Sequence, residues 1–207
     1  MAKLTRDAAE IFHDYDLHIP SRTIFLGGSQ SDEDTDGTVS YKMAEKAIKN
    51  LHLLDTSGEG QITIIVNSGG GDFSMGQAIY NCIKSCKSRV LIKAVGECMS
   101  AASFILQAAD ERLMYQDCTM MIHYGESTIK GDVKSASRWA AWNKNGSRWM
   151  EEIYLERIKE VKPDFAKSKL KKMLAHDYII SADEALSLGL IDGIIGPEGS
   201  ITTREEE

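Results

Sequence analysis

Proline is scarce in this chain of 207 residues, occurring only at Pro20, Pro163 and Pro197, and no Ser/Gly/Pro-rich stretch divides it. At this length, the absence of a linker predicts one domain spanning 1–207. Cysteine is scarce too: Cys82, Cys86, Cys98 and Cys118 lack paired metal-knuckle spacing, and a domain of this size needs no disulfide staples. They read as reduced thiols of a cytoplasmic protein. Apolar runs are short, with nothing approaching the roughly 18–20 residues of a membrane helix, so no membrane contact is expected. The opening MAKLTRDAAEIF turns acidic where a secretion signal needs an apolar stretch of roughly 7–15 residues. Positive charge is in deficit, with 24 Lys+Arg against 31 Asp+Glu for a net charge of −7. The longest basic cluster is Lys167 to Lys172, which excludes nucleic acid as a partner. Histidines 13, 18 and 52 show no metal spacing, so neither a metal nor another cofactor is expected.

What is present is ordinary globular composition, 43% hydrophobic and 27% charged. Thr5 to Phe12 reads as a short amphipathic helix within a distinct N-terminal segment, 1–20. Thr23 to Leu26 reads as a strand followed by a polar loop, Gly27 to Gly37. Residues 40–54 place Met43, Ala44, Ala47, Ile48, Leu51 and Leu54 at helical spacing. Ile62 to Val66 is wholly β-branched, the mark of a strand covered on both faces. A glycine run, a helix from Phe73 to Ile83 and a strand from Arg89 to Val95 complete a βαβ unit. The pattern recurs: a turn from Gly96 to Met99, a small-residue helix from Ser100 to about Ala109, then strands near 112–115 and 119–123. An α/β fold follows.

Residues 132–161 predict one long helix whose apolar stripe carries Trp139, Trp142 and Trp149. The stripe is either core packing or a protruding surface that meets another subunit. Beyond Pro163 come a short helix, a strand from Tyr178 to Ile180, a helix opened by Ser181, a strand from Ile191 to Ile195, and a solvated tail, 198–207.

Three features sit where α/β sheets place ligands, at strand ends. Asn67-Ser68-Gly69-Gly70-Gly71 joins a strand to a helix and could hold an anion on backbone N–H groups, or be only a turn. It matches neither the phosphate loop nor the dinucleotide fingerprint. Gly96-Glu97-Cys98-Met99-Ser100-Ala101-Ala102-Ser103 could present a serine hydroxyl at the open end of the sheet, or merely cap a helix. Cys98 is a rival nucleophile there. His123 closes the apolar strand Met120-Met121-Ile122 and is either a structural residue or a base.

Taken together, these segments resemble the Clp protease proteolytic subunit (ClpP) family, peptidase S14. That family shows N-S-P-G-G, then G-x-A-A-S-M-G-A-F-L-L, then M-I-H. Here the corresponding residues run from Asn67 to Gly71, from Gly96 to Leu106, and from Met121 to His123. Where a later family segment reads an acidic residue, x, F/Y, L, S, A and then G-L-V-D, this chain has Asp177-Tyr178-Ile179-Ile180-Ser181-Ala182 and Gly189-Leu190-Ile191-Asp192. Gly69 stands at the family's proline position, and Tyr124-Gly125 stand where the family has Gln-Pro.

The resemblance implies a ClpP/crotonase-like α/β fold of repeated ββα/βαβ units, with a handle helix at about 130–162. It implies an ATP-dependent serine endopeptidase that cuts unfolded polypeptides or peptides through an acyl-enzyme, with Ser100 as nucleophile, His123 as base and Asp177 as orienting acid. Gly71 and Ala101 would supply the oxyanion N–H groups. As partners it implies further copies of the chain in a homo-oligomer of stacked heptameric rings, a ring ATPase unfoldase, and polypeptide substrates. Two alternatives stand beside this reading. One is a phage-type relative that cuts a specific capsid or scaffold partner without an ATPase. The other is a non-peptidase crotonase-fold acyl-CoA protein or an inactive assembly subunit.

Overall fold

The computed structural model describes residues 6–27, 37–126 and 128–204. Its first half runs α1 (Arg6–Tyr15), β1 (Leu17–His18), β2 (Thr23–Gly27), β3 (Thr38–Val39), α2 (Tyr41–Ser57), β4 (Ile62–Ser68), β5 (Gly70–Gly71), α3 (Phe73–Ser85) and β6 (Val90–Met99). The second half runs α4 (Ala101–Leu106), β7 (Glu111–Tyr115), β8 (Thr119–Ile122), α5 (Val133–Val161), α6 (Lys167–Leu174), β9 (Tyr178–Ile180), α7 (Ala182–Leu188), β10 (Gly193–Ile195) and β11 (Ile201–Thr203). Most of the polar loop expected from Gly27 to Gly37, and Thr5 of the expected first helix, lie outside the described residues. Among the described residues no helix is long and apolar enough to cross a membrane.

The helix starts follow from short oxygen-bearing side chains that satisfy first-turn N–H groups. Ser40 accepts from Met43 N, Asp72 from Met75 N, Asp132 from Lys134 N and Ser135 N, and Ser181 from Glu184 N. The main sheet has the order β1-β2-β4-β6-β7-β10-β11. Neighbours from β2 to β10 are parallel, and the two edge strands pair antiparallel. Ile62, Ile64 and Val66 are buried, whereas Thr63 and Ile65 are only half-buried. Full cover on both faces is therefore found at Val90, Leu91 and Ile92 of β6 rather than along β4.

β6 departs from expectation in the way that matters for the site. Instead of ending at Val95 in a turn, it bends and continues to Met99. Leu91 to Ala94 pair with β7, then Glu97 to Met99 pair with β8. The bend is at Gly96, with φ +68°, where a Cβ would lie 2.6 Å from Asn67 Oδ1. That oxygen accepts the Glu97 N–H at 3.0 Å, so the Asn67 side chain fills the kink. The two strands expected near 112–115 and 119–123 thus succeed one another along β6.

Two further findings concern the C-terminal half. The expected tail, 198–207, contains β11, whose exposed residues pair with β10, and Arg204 donates to Ile191 O and Leu186 O; residues 205–207 lie outside the described residues. The tryptophan stripe of α5 splits in two. Met150, Ile153, Tyr154 and Ile158 are buried in the core, whereas Trp139 and Trp142 are 57% and 67% exposed.

Arg112 on β7 is buried and pairs with Asp192 through Nε (2.9 Å) and Nη2 (2.6 Å), while Nη1 reaches Gln107 Oε1 and Gly189 O. Burial opposes the Asp192 charge, but the bonds and charge of Arg112 outweigh it and hold the carboxyl below its ordinary range. A carboxyl depressed in the folded state adds stability above its unfolded pKa of roughly 3.9, lost as pH falls through the lower folded value. Denaturant melts should therefore show stability falling below about pH 4. Asp192→Asn should flatten that limb while lowering stability at neutral pH.

Candidate active site

Ser100 lies between the end of β6 and the start of α4, with φ +50° and ψ −121°. A non-glycine residue there stores strain on the order of 1–3 kcal/mol. Backbone bonds hold it. Ser100 N–H donates to Met121 O (2.8 Å), and Ser100 O accepts from Ser103 N (3.0 Å) and Ser103 Oγ (2.6 Å). The Ser100 side chain makes no capping bond, which removes the helix-cap reading and leaves the hydroxyl facing outward. Cys98, the rival nucleophile, is sealed in the core, where burial first and Cys118 second push its thiol well up.

The same strand pairing delivers the histidine. Met99 pairs with Met121, so two residues later the chain places His123 beside Ser100. β9 pairs antiparallel with β8 at Ile122 and Tyr178, which sets Asp177 opposite His123. His123 Nε2 lies 2.8 Å from Ser100 Oγ, and its Nδ1 lies 2.7 Å from Asp177 Oδ1. Residues 23 and 54 positions apart thus form one continuous hydrogen-bonded row. With Asp177 accepting at Nδ1–H, Nε2 is free to accept the serine proton.

The glycine turn packs directly on this row. At Gly70, φ +98°, a Cβ would lie 2.6 Å from Ser100 Cβ and 2.7 Å from Met99 O. At Gly71, φ +149°, it would strike Val39 O at 2.6 Å. Neither position admits a side chain. Ser68 ties the turn down, donating to Gly37 O and accepting the Gly70 N–H at 3.1 Å. Gly71, Ala101, Ser100 and His123 line one open cleft of about 850 Å³. Ala101 opens α4, and a first-turn N–H has no partner within its own helix.

Aromatic packing stiffens the floor behind the serine. Phe104 of α4 meets Phe73 of α3 at 5.4 Å and Trp149 of α5 at 5.6 Å, and Tyr80 meets Trp149 at 5.0 Å. Such pairs add about 0.5–1.5 kcal/mol each beyond area burial. Gly76 makes room for them, since a Cβ there would lie 2.7 Å from the Phe104 ring.

Sequence reasoning missed four supporting residues. Tyr124 donates from its hydroxyl to Glu151 Oε1 at 2.7 Å, and Tyr154 Oη lies 2.6 Å from Ser103 Oγ. Burial, reinforced by Glu151, pushes the Tyr124 phenol well up. Burial also works against the Glu151 charge, but the Tyr124 hydroxyl and the ammonium groups of Lys167 and Lys171 prevail and hold the carboxyl low. The only sequence signal was Tyr124 itself, standing where the resembled pattern has glutamine.

Comparison with known proteins bears on family and fold. The Clp protease family matches residues 8–198. The ATP-dependent Clp protease proteolytic subunit of Deinococcus radiodurans is 29% identical over 187 residues, covering 87% of this chain and 85% of that protein. The ATP-dependent Clp protease proteolytic subunit 2 of Pseudomonas aeruginosa is 29% identical over 168 residues, covering 80% of this chain and 81% of that protein. A solved structure of a ClpP1 point variant from Listeria monocytogenes shares the fold, with a TM-score of 0.73 at 24% identity over 87% of this chain and 94% of that one. With the family match spanning nearly all of the sheet and helices described above, the chain belongs to the Clp protease family.

Proposed function

We propose that the chain is a serine endopeptidase that cleaves peptides and unfolded polypeptides through an acyl-enzyme on Ser100. The observation that carries this is the row Ser100 Oγ, His123, Asp177, with contacts of 2.8 and 2.7 Å. Ser100 Oγ attacks the peptide carbonyl as His123 Nε2 takes its proton. The oxyanion forms against the N–H groups of Gly71 and Ala101, donors of a kind worth roughly 2.7–4 kcal/mol each. His123 then returns the proton to the leaving amine, the C–N bond breaks, and the acyl group stays on Ser100. Water, deprotonated by His123, releases it. Asp177 holds the imidazole tautomer and stabilises its cation.

A serine poised against a histidine and a carboxylate favours this chemistry over the acyl-CoA reading, which needs no such row. Self-association into stacked rings is part of the proposal. Its supports are the family membership and the solvent-facing Trp139 and Trp142 of α5. None of the three chemical groups requires a nucleotide, so short peptides should be cut without ATP; a ring ATPase would serve only to deliver folded substrates.

A fluorophosphonate probe tests the reading. Stoichiometric phosphonylation mapped by peptide mass to Ser100 is expected, and a folded chain that stays unlabelled at Ser100 would overturn it.

A further inference from the structure

Two neighbouring residues on one face of α5 reach the two sides of the site by separate routes. Tyr154, fully buried, contacts Ser103 Oγ at 2.6 Å, and Ser103 Oγ donates to Ser100 O at 2.6 Å. Since the Ser103 proton is used there, the tyrosine hydroxyl donates in its turn. That route ends on the backbone of the nucleophile turn. Glu151, one helical step away and 4% exposed, accepts the Tyr124 hydroxyl at 2.7 Å, and Tyr124 directly follows His123. That route ends on the segment bearing the base.

We infer that Glu151 and Tyr154 are positioning residues of α5 that together fix the separation between Ser100 and His123. The inference rests on the reading of those two residues as nucleophile and base. α5 is a continuous helix of 29 residues, so positions 151 and 154 keep a constant spacing, which they carry beyond the last strand pair, Met99 with Met121, to Ser100 O on one side and Tyr124 on the other. The anchor on the histidine side is itself fixed. Lys167 and Lys171 of α6 stand 3.2 and 3.8 Å from Glu151 Oε2, and Tyr124 N–H donates to Leu174 O at the end of α6 at 2.8 Å. Tyr124 is therefore held at both its amide and its hydroxyl. Filling space needs none of this, because leucine or methionine would pack α5 without placing a carboxylate indoors. Directional hydrogen bonds in a buried network set position as well as contact.

The test uses the full chain as wild type, Tyr124→Phe, Tyr154→Phe, the double variant, Glu151→Gln and Glu151→Leu, each confirmed folded by circular dichroism and thermal melting. For a fluorogenic peptide, each phenylalanine variant should lower kcat about tenfold with KM within about twofold, because a small misplacement of reacting groups acts on rate. The second-order rate of fluorophosphonate labelling should fall in parallel. The double variant should lose clearly less than the product of the single losses, since both bonds serve one distance. Glu151→Gln, which keeps an acceptor for Tyr124, should retain most of the kcat that Glu151→Leu loses. Folded phenylalanine variants whose kcat and labelling rate stay within about twofold of wild type would overturn the inference, as would a loss confined to KM. A folded wild-type chain that fails to label overturns the nucleophile assignment itself, and the positioning role with it.

Discussion

Replacing Ser100 with alanine should reduce peptide hydrolysis by roughly a millionfold, to the level set by binding and the oxyanion groups alone. The loss should be this large because the two rivals in the same turn cannot take over: Cys98 is sealed in the core and Ser103 Oγ is committed to Ser100 O and Tyr154. The fold should be almost untouched. Ser100 is held by its own backbone N–H and carbonyl, and among the described residues its hydroxyl bonds only to His123. Thermal melting of Ser100→Ala should therefore match wild type within a few degrees while turnover of a fluorogenic peptide disappears. Residual turnover above about one part in a thousand, in material free of wild-type enzyme, would remove Ser100 from the role of nucleophile.

Asp177→Asn should cost roughly 10⁴-fold in kcat. An asparagine amide can turn its NH₂ towards His123 Nδ1, which moves the ring proton to Nε2 and leaves no acceptor for the serine proton. This argument concerns the tautomer, so it holds although the Asp177 side chain is 71% exposed and solvent weakens its charge. Steady-state kinetics on the same peptide decides the matter. A loss under about tenfold would mean that Ser100 and His123 work as a pair and that Asp177 only lies beside them.

The parts of the fold legible in the sequence were those written locally. The β-branched run at 62–66, the helical spacing at 40–54 and the helix start at Ser181 all act within a few positions of themselves. The candidate site was legible only through the resemblance to the Clp protease pattern, since each segment alone left a bland alternative open; the fold then brings Ser100, His123 and Asp177 into one row. What could not be read depends on partners far along the chain. β6 runs on through Gly96 because an asparagine side chain 29 positions earlier fills the bend. Ile201, Thr202 and Thr203 are β-branched, but so short a run becomes a strand only because backbone groups of Gly193 to Ile195 are open to pair with it. The apolar stripe of α5 looks continuous in one dimension, yet only the half from Trp149 onward finds the core. Arg112 reads as an ordinary surface charge until Asp192, 80 positions away, is brought against it.

The single strand β6 carries two neighbours in succession, β7 and then β8, and ends next to Ser100. Adding or deleting one residue between Val90 and Met99 would turn every later side chain to the opposite face and carry Ser100 out of register with Met121. The exposed half of α5 has no strand register to keep, so a length change there would leave Ser100 and Met121 where they are. Viable descendants of this sequence should accumulate insertions and deletions in the handle and at the sheet's outer edges, and none across these ten positions.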